Sequence, residues 1–175
     1  MDSSKTLLLI PGIIYGVGLV SLLNAFRAKI YWEIAVMAVL MFFTLILNWF
    51  LFSQQLDTVA HKLGIYTLLM VSPLLFTRAC NMLVPSEAQL DTKAHYFDIR
   101  RNFYLLLAGH TSVNILIQFL VFDDGLNGFR FIGVAVLFTC AIYNKIWLRI
   151  VMMAMFYLIF AYIFITTGKY LIPQV

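Results

Sequence analysis

Charge is what this sequence has least of. Only 11% of its 175 residues are Asp, Glu, Lys or Arg, against roughly 25% in an ordinary soluble domain. Hydrophobic residues make up 63%. This excludes a water-soluble globule, which would have too few polar side chains to cover its surface. Cysteine is scarce too. Cys80 and Cys140 both lie in apolar runs, in neither a CxxC nor a Cys/His spacing, and read as small packing residues. There is no P-loop, HExxH or GxSxG motif, no internal repeat and no low-complexity segment.

What remains is a series of apolar runs. A membrane span needs about 20 mostly apolar residues. Six candidates follow: 6–26, 30–52, 63–84, 102–122, 131–148 and 150–170. The expected fold is therefore an all-α integral membrane bundle of about six transmembrane helices with short loops, forming a single domain. A retained first span is expected rather than a cleaved leader, because no small-x-small site follows it. Trp32 and Trp49 bracket the second span, 17 residues apart, or about 26 Å at helical rise. That suits aromatic belts at two interfaces. Pro73 interrupts the third span and predicts a kink. The polar residues Asn144, Lys145 and Arg149 divide the last two spans.

The net charge of +4 is spread over short segments between apolar runs. That is the pattern of anchors beside anionic headgroups, not of a nucleic-acid surface. With six spans, one side carries Arg27, Lys29, Lys93, Arg100, Arg101, Lys145 and Arg149. The other carries Lys5, Lys62, Arg130 and Lys169. The positive-inside rule puts the first set in the cytoplasm and both termini on the non-cytoplasmic side of a plasma or inner membrane.

Polar residues inside spans are the candidates for function. His110, Asn114 and Gln118 recur at i, i+4 and i+8 and share one helix face. Glu33, Thr44 and Asn48 lie on roughly one face of the second span. Arg78 and Asn81 follow the Pro73 kink. Lipid satisfies none of these groups, so they are expected to face other helices or a wet interior. The stripe reads either as a polar pathway or as interhelical hydrogen bonding. Glu33, Arg78 and His110 lie about 5, 9 and 12 Å from the same side. The expectation is an ion pair between Glu33 and Arg78, with His110 nearby.

Two weaker patterns remain. Gly12 and Gly16 form a GxxxG pattern, a surface for close helix packing. Ser86 and Gln89 form a capping box opening a short surface helix. Its acidic face would hold Glu87, Asp91, His95 and Asp98, residue types that suit a divalent metal. No cofactor is expected.

Three functional classes fit. One is a non-catalytic oligomer with a polar interior, channel-like or transporting. Another is an anchoring or scaffolding subunit of a larger membrane complex. The third is a membrane-embedded enzyme acting on lipid. The expected partners are the bilayer and either copies of this chain or other membrane subunits.

Overall fold

Apolar runs shielded from water must satisfy their backbone hydrogen bonds internally, and here they do so as helices. The computed structural model describes residues 7–26, 30–59, 63–85, 91–122 and 128–171. They form α1 (Leu9–Ala25), α2 (Trp32–Val59), α3 (Leu63–Met82), α4 (Thr92–Phe122), α5 (Gly128–Ile142) and α6 (Ile146–Leu171). No strand occurs among the described residues. Three helices are long and apolar enough to cross a membrane, over Trp32–Phe50, Gly64–Met82 and Thr92–Leu120. The described apolar parts of α1, α5 and α6 are shorter.

The principal contacts close a ring. α1 packs on α3, α3 on α4, α4 on α5, α5 on α6, α6 on α2, and α2 on α1; α2 also touches α3. In α1 the buried face repeats every three or four residues, through Pro11, Tyr15, Gly18, Leu22 and Ala25. Pro11 is harmless in the first turn, where backbone N–H groups have no helical partner anyway. α4 lies between α3 and α5 and buries two stripes. One includes Tyr96, Ile99, Phe103 and His110, the other Arg100, Tyr104 and Ala108. The outer surface stays apolar: Ile13 is 67% exposed and Leu158 72%.

Two boundaries differ from the sequence reading. The surface helix and the fourth span are one helix, α4, with 31 residues and a length of about 46 Å. Its cap is Asp91, whose Oδ1 accepts from the backbone N–H groups of Lys93 and Ala94 at 2.9 and 3.2 Å. Ser86 and Gln89 lie outside the described residues. The break between α5 and α6 falls at Tyr143–Lys145, so Arg149 sits inside α6.

The close approach of α1 is made at Gly18. A Cβ there would lie 3.2 Å from Thr77 Oγ1 and 3.6 Å from Cys80 Sγ. Thr77 also donates to the Ile14 carbonyl across the same seam, at 2.9 Å. Gly12 lies against the Trp49 ring, whereas nothing is within 4 Å of a Cβ on Gly16. Gly18→Val is therefore expected to destabilise by about 1–3 kcal/mol through overpacking, with Gly16→Val near neutral. Paired thermal melts in one detergent check the contrast.

Candidate functional site

Two buried polar networks occupy the bundle at different depths. The first joins the N-terminal ends of α2, α4 and α6. Glu33 is fully buried, and Arg149 is 2% exposed. Arg149 Nε donates to Glu33 Oε2 at 2.6 Å, and its second terminal nitrogen to Oε1 at 3.0 Å. Its remaining terminal nitrogen donates to Asn144 Oδ1 at 2.7 Å. The Tyr31 hydroxyl donates to Glu33 Oε1 at 2.7 Å. The guanidinium lies 5.9 Å from the Tyr96 ring centroid and 5.5 Å from that of Phe97. Tyr96 and Tyr104 share a hydrogen bond of 2.9 Å. The Tyr31 backbone N–H donates to Thr92 Oγ1 at 3.0 Å, fastening α2 to α4.

Arg78 is therefore not the partner of Glu33. Arg149 and Tyr31 occupy the carboxylate, while Arg78 is exposed on α3. The expected cluster fails twice. Glu33 pairs with Arg149. His110 is not nearby but level with Asn48, about 22 Å further along α2, because α4 begins at Thr92 and not at Asn102. Asn81 is also exposed, and the Ser21 hydroxyl donates to its side-chain oxygen.

The second network centres on His110, 4% exposed. The side-chain nitrogens of Asn48 and Asn114 lie 3.1 and 3.2 Å from its Nε2. Its Nδ1 lies 2.9 Å from Ser72 Oγ and 3.1 Å from the Ser72 carbonyl. Ser72 Oγ donates to Asn114 Oδ1 at 2.6 Å. Amide N–H groups only donate, so Nε2 accepts and the ring proton sits on Nδ1, shared between the two Ser72 oxygens. The cycle is closed and ties α2, α3 and α4 together. Phe76 packs on the imidazole at a centroid distance of 5.1 Å.

Beside His110 lies a cavity of about 70 Å3, walled mainly by Met37, Met41, Phe76, Leu137 and Met152. Thr44 and Thr111 also line it, but each hydroxyl donates to a carbonyl of its own helix, Leu40 and Leu107. The cavity is thus largely apolar. Gln118 continues the stripe but makes no hydrogen bond among the described residues.

The acidic-histidine face is dispersed. Asp91 serves as the α4 cap, Asp98 is exposed, and Glu87 lies outside the described residues. His95 turns inward, with Nε2 3.0 Å from the Met82 carbonyl at the end of α3. Its Nδ1 is buried without a partner. No group of three or more His, Cys, Asp or Glu residues able to hold a metal occurs among the described residues. Arg100 does the same for α5, donating to the carbonyls of Cys140 and Tyr143. Cations suit helix C-termini, where carbonyls lack helical donors.

Ser72, Tyr31, Asn144 and Arg149 are the site residues that sequence reasoning missed. A signal for Arg149 existed: α2 and α6 both begin on the same side of an alternating six-helix bundle. That places Glu33 and Arg149 at one level. The chain matches no protein-family model, no curated protein and no solved structure.

Proposed function

We propose that the chain is a non-catalytic, six-span membrane subunit. It assembles with copies of itself or with other membrane chains, and its polar interior locks helices together. The observation that carries this reading is the closed His110 cycle. Both ring nitrogens are engaged by Asn48, Ser72 and Asn114. A conducting stripe would instead offer free donors and acceptors to a passing solute. The Glu33–Arg149 pair supports the same view, because its charges are spent on each other. The apolar outer surface suits a bilayer. The terminal orientation proposed from the cation count keeps both ends on the non-cytoplasmic side.

The cavity beside His110 favours a second reading, a conduit completed by other copies. The cavity is small, about 70 Å3, and on this reading neighbouring chains line the rest of the path. Native mass spectrometry of the protein, extracted gently from its own membrane, tests the proposal. The expected spectrum holds a fixed assembly, either of identical chains or with partner chains. A spectrum containing only the single chain overturns the subunit reading.

A further inference from the structure

Arg78 is an anomaly in the fold. It lies on α3, one of the three helices able to cross a membrane, yet it is exposed. Among the described residues it has no ion-pair partner. Around it the outer face is apolar, with Leu74, one turn away, 54% exposed. An unpaired charge in hydrocarbon is costly, so an anion must reach it or it must reach one.

We propose that Arg78 and Asn81 form a binding site for the phosphate of an anionic lipid, at the α1–α3 seam. Three observations carry this. Arg78 is four residues from Met82, where α3 ends, or about 6 Å along the axis. An arginine side chain spans that depth and brings its guanidinium to headgroup level. Asn81 sits three residues on, on the same helix face. Its side-chain amide meets the Ser21 hydroxyl across the seam and has N–H groups to offer an incoming acceptor. The cluster thus offers a guanidinium and an amide N–H to an anion, and the guanidinium fork matches two phosphate oxygens. The same end of the bundle carries exposed Lys93, Arg101 and Lys145, which draw anionic lipid toward it. The site rests only on α3 lying in a bilayer, not on the subunit reading.

The test is a titration of the full chain in mild detergent with phosphatidylglycerol, read by native mass spectrometry, with phosphatidylcholine as comparison. The unaltered protein is expected to retain phosphatidylglycerol preferentially. Arg78→Leu should weaken that retention about tenfold, the scale of a charged hydrogen-bonded contact. Arg78→Lys should fall between, because it keeps the charge and loses the fork. Lys93→Gln should change little. Thiol labelling of buried Cys80 confirms that each variant is folded. Equal retention by Arg78→Leu and the unaltered chain overturns the site. So does an equal loss in Lys93→Gln, which would mean diffuse attraction. Release of a partner chain by Arg78→Leu with lipid retention unchanged also overturns it, assigning Arg78 to a protein carboxylate.

Discussion

Arg149→Met is expected to lower the melting temperature of the detergent-solubilised protein by on the order of 10 °C, the equivalent of about 3–5 kcal/mol. The size follows from what remains. Glu33 is fully buried and would keep only tyrosine hydroxyls, Tyr31 and Tyr96, with no cation opposite. Removing one member of a buried pair exposes the desolvation that the other had offset. Asn144 would lose its donor as well, loosening the turn between α5 and α6.

The double variant Glu33→Leu with Arg149→Met separates pairing from packing. Replacing both charges by apolar groups of similar size is often neutral or stabilising. The double variant should therefore recover at least half of the loss. Cys80 and Cys140 are both free and buried, so a thiol-reactive dye reports unfolding directly. If Arg149→Met melts with the unaltered protein, the pair holds nothing together. If the double variant is as unstable as the single, the surrounding hydrogen bonds matter more than the charges.

Helices were legible in the sequence because apolar runs of about 20 residues match a helical span and not the shorter strand of a barrel. Azimuth was not. Arg78 and Arg149 both sit near helix ends, and spacing gives their depths. It does not say which faces inward, since most positions on these helices are apolar all round. The structure turns Arg149 toward Glu33 and Arg78 outward. The continuity of α4 was hidden for a related reason. Lys93, His95, Asp98, Arg100 and Arg101 depress the hydropathy of its first turns, so those turns read as loop or surface. Two of these five are consumed inside, His95 at the end of α3 and Arg100 at the end of α5. The His110–Asn114 repeat was visible as a polar stripe. Ser72 was not, because its one hydroxyl among the apolar residues of α3 forms no repeat.

His110→Leu is the second large perturbation, expected to cost about 2–4 kcal/mol. Interhelical hydrogen bonds in membranes contribute about 0.6 kcal/mol on average and up to about 1.7, and the imidazole makes such contacts to both α2 and α3. Its loss also leaves the amide groups of Asn48 and Asn114 without their shared acceptor, a further penalty of about 1–3 kcal/mol where no water reaches them. Asn48→Ala removes one donor while Asn114 still serves Nε2, so it should cost only about 1 kcal/mol. The ordering of these two variants is the signature of a cycle. The same proteins in liposomes decide between lock and pathway. A lock predicts that His110→Leu melts early and changes no ion or solute permeation. A His110→Leu protein that melts like the parent but has lost a measurable flux would make the imidazole part of a pathway, and the closed cycle only its resting state.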